Sequence, residues 1–359
     1  MKLTINTQKL KDMISKSIVG AGNDKLIPIT TFMGITKHND NIMLTTTDAT
    51  NYLYVTDVIN NEQDDIQVTV FVDQFAKLIS RMTSENVELE VVNDALHIVG
   101  NGDYMLELPL DENGELVTYP DPAVEVFGNS PDIDTYSISL ADVKTVLDTV
   151  RPSLSTDNTN FEITNYFVGN SVLATDSYKI ASFDINLLDA EYLVSPNMLD
   201  LFKVVSQETV YYKIKENSIW FTAGDIMIYG KLMEGAYPVD VLEKLLSEKF
   251  PSVCKINKSD FLSLLDRISL FVSKNDDKAI KMNFTKTGIE VTNKAGKSAE
   301  IIEYQSVKKH KDFSCIIDIE FLTTQIKAYA SDVIELHYGR ENSIKLVDGN
   351  IIQIVALNE

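Results

Sequence analysis

The chain has 359 residues, 44% of them apolar and spread along its whole length, and its 53 Asp and Glu outnumber 32 Lys and Arg for a net charge of −21. That length suits two or three domains, and no run approaches the roughly 18 consecutive apolar residues of a membrane span. So acidic a chain ordinarily argues against nucleic acid, because phosphate binding relies on Lys and Arg, yet where the basic residues sit matters more than their sum.

The start, Met1 to Thr7, alternates like a strand and lacks the apolar block of an export signal, so a cytoplasmic chain with no membrane association is expected. It turns into a predicted helix over 8–18, and Gly20-Ala21-Gly22 beyond it reads as a helix cap rather than a phosphate loop. A second strand-to-helix unit begins at Val70-Phe71-Val72-Asp73 and predicts a helix over 73–83, which gives way at Ser84 to period-two strand pattern. Tyr119-Pro120 punctuates the chain as a linker, since proline stops strand pairing. The order then recurs, with helices predicted over 141–151 and 196–206, a second linker at Tyr237-Pro238, and helices over 258–274 and 320–330.

The recurrence extends to residue pattern. Ile5 to Ile14 aligns without gaps on Ile138 to Leu147 and on Ile256 to Leu265, at offsets of 133 and 118 residues. Apolar residues fall four apart in each copy, as at Leu10 and Ile14, Val143 and Leu147, and Phe261 and Leu265. Steps this long are domains rather than solenoid units, which are several times shorter. An α+β chain of three repeated domains follows, at 1–126, 127–250 and 251–359, each with two strand-helix-strand units.

Chemistry-bearing residues do not converge into a catalytic or metal-binding pattern. His38, His97, His310 and His337 are scattered, and Cys254 and Cys315 lack CxxC spacing and read as buried thiols. No catalytic residue, metal ligand or cofactor is expected, and the chain reads as a non-enzyme.

Several segments resemble the bacterial DNA polymerase III beta subunit, the beta sliding clamp family. Ile27-Pro28-Ile29 and Thr47-Asp48 match short words of its first domain, and Thr175-Asp176-Ser177-Tyr178-Lys179-Ile180-Ala181 is similar to its TDGHRLA segment. Gly235-Ala236-Tyr237-Pro238 and Asp266-Arg267-Ile268-Ser269-Leu270 resemble further landmarks in the same order. The ending Val355-Ala356-Leu357-Asn358-Glu359 departs from the family's MPMRL, a drift that a phage-encoded or otherwise outlying clamp would fit.

The resemblance implies a DNA clamp fold, with helices lining a central hole and sheets outside. The partners it implies are encircled double-stranded DNA read without sequence preference, a replicative polymerase, a clamp loader, and a second copy closing a homodimeric ring. The six predicted helices hold 12 Lys and Arg against 8 Asp and Glu, a surplus of four in a chain of net charge −21. Those 12, the DNA candidates, are Lys9, Lys11, Lys16, Lys77, Arg81, Lys144, Arg151, Lys203, Lys258, Arg267, Lys274 and Lys327, with Lys25 at the rim. By motif, a partner-peptide pocket falls on Ile163, Thr175, Ser177, Tyr178, Lys179, Ile180, Val355 and Leu357, and the dimer contact on Tyr104, Leu106, Phe271 and Val272. The competing reading is an acidic duplicated-domain adaptor that binds only proteins.

Overall fold

The computed structural model describes every residue except 1, 25, 60–62, 128–132, 273–277, 309 and 359. Among the described residues there are eight α-helices: α1 Thr7–Ser17, α2 Val72–Ser80, α3 Pro122–Phe127, α4 Leu140–Thr145, α5 Pro196–Asp200, α6 Val239–Ser247, α7 Lys258–Ser269 and α8 Ile319–Lys327. Six of them stand at the predicted places. The element order strand, helix, four or five strands, helix, three strands occurs three times along the chain.

Shared local chemistry starts three of the repeated helices. Asn6 accepts from Lys9 N at the head of α1, Asn257 from Asp260 N at α7, and Asp318 from Glu320 N and Phe321 N at α8. Each side chain satisfies amide groups that the first helical turn leaves without partners. The apolar residues at helical spacing then go inward: Leu10, Phe75, Phe261 and Leu322 are fully buried.

The structure departs from the predicted helices in the second repeat. After Thr145 the helix widens into a π turn, Val146–Val150, in which Arg151 N reaches back five residues to Val146 O. A tight turn, Arg151–Ser153, follows, containing Pro152, which has no amide hydrogen to continue the ladder. The predicted helix 196–206 likewise divides into α5 and a tighter turn, Leu201–Val204. Helices α3 and α6 were not foreseen and follow the two Tyr-Pro pairs.

The chain packs into two compact units, Met1–Leu140 with Asn197–Leu232 and Ala141–Pro196 with Met233–Glu359. The second repeat is thus shared between them. The first unit holds a four-stranded antiparallel sheet and an eight-stranded one, in which strand Tyr52–Val58 pairs with Ile226–Lys231. The second unit holds a four-stranded sheet and a nine-stranded one, in which Lys179–Phe183 pairs with Ile351–Ala356. No helix among the described residues is long and apolar enough to cross a membrane.

Candidate functional site

Thr175 to Lys179 forms a locked turn in the second unit. Asp176 Oδ1 accepts from Tyr178 N at 3.0 Å and Lys179 N at 2.7 Å, while Thr175 Oγ1 donates to Lys179 O at 2.8 Å and accepts from Ser177 N at 3.1 Å. The lock holds Ser177 at φ +76°, a left-handed conformation that a Cβ resists. It also leaves Tyr178 62% exposed. The same lock recurs at Thr47-Asp48-Ala49-Thr50-Asn51 in the first unit, where Ala49 has φ +80° and Asp48 Oδ1 accepts from Thr50 N at 3.0 Å and Asn51 N at 2.7 Å.

From the turn the chain enters strand Lys179–Phe183, and Ala356 N donates to Tyr178 O at 2.9 Å from the paired C-terminal strand. The tail beyond is held by Leu357 N to Asn342 O at 3.0 Å and Asn358 N to Ile316 O at 2.9 Å. An apolar cluster underlies this region, with Ile163, Leu173, Ile180, Leu193 and Ile354 joined by Tyr237 and by Leu242 and Leu246 of α6. Phe321 of α8 lies against Tyr178, ring centroids 6.1 Å apart, and the Lys179 ammonium stands 4.8 Å from the Phe321 ring centre. That ammonium also donates to Pro152 O at 2.8 Å and pairs with Asp176 Oδ2 at 3.2 Å.

The structure therefore sorts the pocket residues read from sequence. Ser177 and Tyr178 are exposed and Leu357 is half-buried. Val355 is 0% exposed, a core side chain that cannot line a surface pocket, and Ile163 and Ile180 belong to the apolar cluster. Thr175 and Lys179 are buried, the hydroxyl committed to the turn and the ammonium to the neighbours named above. Sequence reasoning missed Phe321 and α6. Val239, Leu242, Leu245 and Leu246 carry a helical spacing that could have revealed α6.

The basic helix residues are less free than their number suggests. Lys9 pairs with Asp57 at 2.9 Å, Lys16 with Asp225, Lys77 with Asp73 at 2.7 Å and Lys203 with Asp200 at 2.8 Å. Arg267 forms a fork with Glu300, with contacts of 2.6 to 3.1 Å, and each group holds the other's charge on, raising the guanidinium pKa and lowering that of the carboxyl. Lys11 and Lys258 donate to Met82 O and Tyr329 O at 2.6 Å, just past the ends of α2 and α8, where helix carbonyls lack partners and a cation is favoured. Arg81, Lys144 and Lys327 are exposed and form no ion pair among the described residues, and Arg151 is half-buried. Lys25 and Lys274 lie outside the described residues.

Two sheet edges carry exposed apolar side chains. Strand Asp103–Glu107 is the outer strand of its sheet and shows Tyr104 and Met105 to solvent, whereas Leu106, 7% exposed, packs inward and is corrected to a core position. Strand Ala299–Ile302 is likewise an outer strand and shows Ile301, close to the end of α7 where Leu270 is 81% exposed, Phe271 is exposed and Val272 is half-buried.

His38 and His310 serve local contacts. His38 meets Asp65 at 2.7 Å, and His310 meets Asp312 at 2.7 Å and the hydroxyls of Tyr304 and Tyr338 at 3.0 and 3.1 Å. Among the described residues no group of three or more His, Cys, Asp and Glu is disposed to hold a metal. Cys254 and Cys315 are free and buried, and burial pushes both thiols up to about 12.

Comparison with solved structures matches this architecture throughout. The DNA polymerase III beta chain of Streptococcus pneumoniae superimposes with a TM-score of 0.86 over 100% of this chain and 99% of that one at 15% identity, and the Bacillus subtilis sliding clamp with 0.85 over the same shares at 19%. The fold is that of the beta sliding clamp. Curated relatives agree: the beta sliding clamp of Bacillus subtilis is 23% identical over 336 residues, spanning 84% of this chain and 83% of that protein. That of Staphylococcus epidermidis is 20% identical over 364 residues, spanning 94% and 93%. No family model matches. The chain is a divergent relative of these clamps.

Proposed function

We propose that this chain is a DNA sliding clamp, a processivity factor that encircles duplex DNA and tethers a replicative polymerase and a clamp loader. The likeness to sliding clamps along the entire chain carries the reading, and it favours the clamp over the acidic adaptor. The working units are three domains, at 1–126, 127–250 and 251–359, acting in the cytoplasm without catalysis. Two copies close a ring, the edge strands Asp103–Glu107 and Ala299–Ile302 supplying unpaired backbone and apolar side chains that suit head-to-tail pairing.

The helices' small surplus of positive charge suits this mechanism. A clamp needs exchangeable phosphate contacts and no base reading, so retention comes from topology instead of affinity. Arg81, Lys144 and Lys327 are the best placed to meet phosphates. Partners dock a short motif beside Tyr178 and Phe321, a pair of aromatic rings suited to hydrophobic anchors.

The test is retention on circular DNA. Loaded clamp should stay on a closed circle at salt that abolishes unassisted binding, and should leave when the circle is cut. Equal loss from circular and linear DNA at moderate salt would refute encirclement.

A further inference from the structure

We propose that Lys179 is a positioning residue of the pocket and not a peptide contact: its buried ammonium fixes Tyr178 and Phe321 as an aromatic platform, so the pocket selects an apolar or aromatic peptide side chain there and offers no cation to an acidic one. The inference rests on the peptide-pocket reading.

Three elements converge on this one group. Asp176 uses one oxygen for the amides of Tyr178 and Lys179 and the other for the Lys179 ammonium at 3.2 Å, so the turn and the ion pair form a single network. Pro152 O accepts from the same ammonium at 2.8 Å. That carbonyl ends a helical segment, where a cation is favoured. The third neighbour is the face of Phe321, 4.8 Å away on α8. With only 8% of the residue exposed, little of the charge is left for a ligand.

The first unit provides an internal comparison. Asn51 follows the identical turn, and its shorter amide donates back to Asp48 at 3.1 Å. The turn therefore forms without a lysine. What the lysine adds is a tie from the turn to a helix end and to α8, and its two aromatic beneficiaries are the exposed Tyr178 and the partly exposed Phe321.

The experiment uses the full chain and two fluorescein-labelled decapeptides with a Leu-Phe anchor, one neutral and one with Asp beside the anchor. Wild type should give the Asp form no advantage at any salt between roughly 50 and 300 mM. Lys179→Met should weaken both peptides equally, by about tenfold, and Lys179→Arg should recover most of the loss. In NMR spectra the Lys179 ε-methylene should show an upfield ring-current shift that Phe321→Leu removes, a readout that general stability does not move. Phe321→Leu should also weaken both peptides, which keeps the proposal testable if Lys179→Met folds poorly. A wild-type preference for the Asp peptide that Lys179→Met alone erases would overturn the inference and make Lys179 a direct contact. Tyr178→Ala weakening binding while Lys179→Met does not would overturn the role of Lys179 alone. Wild-type affinity in both variants would overturn the pocket reading with it.

Discussion

His337 shows how one side chain sets a response of the whole protein. Burial, and then the nearby charge of Lys345, hold its imidazole below the ordinary 6.5, while Glu335, 3.5 Å away, opposes the shift. The unfolded chain takes up a proton at 6.5 and the folded chain only at a lower pH. Between those two values the unfolded state holds more protons, so stability falls as pH drops through 6.5 and levels off below the folded pKa. One such proton gives a slope of at most ~1.4 kcal/mol per pH unit. His337→Asn should flatten that limb, as read from urea midpoints across the window, and an unchanged slope would assign the acid response to another group. Lys345 is itself held low by burial, although its ammonium donates to Leu246 O and Glu248 O at 2.7 and 3.1 Å at the end of α6. It is a structural cap for the helix that walls the apolar cluster, and its positive charge lies behind part of the His337 shift.

Among the elements, the exposed cations of α4 and α8 and of the residue capping α2 make a sharper test than helix charge in general. Reversing Arg81, Lys144 and Lys327 to Glu should leave folding intact and lower DNA loading, and the log-log salt slope of unassisted binding should shrink by roughly 0.9 for each phosphate that is no longer neutralised. An unchanged slope would mean these three face away from DNA. The six repeated helices were legible because apolar residues four apart are a local signal, to which an Asn or Asp cap adds at α1, α7 and α8. Helix α6 was hidden by its own start: Pro238 read as a linker, yet a proline just before a helix loses nothing, since the first amides have no partner there anyway. The pocket was legible only in part for a different reason. Tyr178 and Phe321 lie 143 positions apart and meet through packing. The inward turn of Lys179 depends on Pro152 O, which no pattern near Lys179 announces.

At the scale of the molecule, a closed ring of two should show a mass near twice 40.2 kDa in solution. Met105→Asp with Ile301→Asp should shift it toward the monomer, because charge on these strands desolvates poorly against an apolar partner. A dimer untouched by both changes would place the contact elsewhere. The pairing of Lys179–Phe183 with Ile351–Ala356 also sets a timetable. The two strands are separated by 168 positions, from 183 to 351, which a ribosome adding roughly 5 to 20 residues per second covers in about 8 to 34 s. Throughout that interval the strand behind Tyr178 has emerged with one side unpaired. Unit one, complete at Leu232, is able to close during the same wait. The nascent chain therefore carries one finished unit together with an open, aggregation-prone strand edge, and the proposed docking surface cannot form before Ile351–Ala356 has been made.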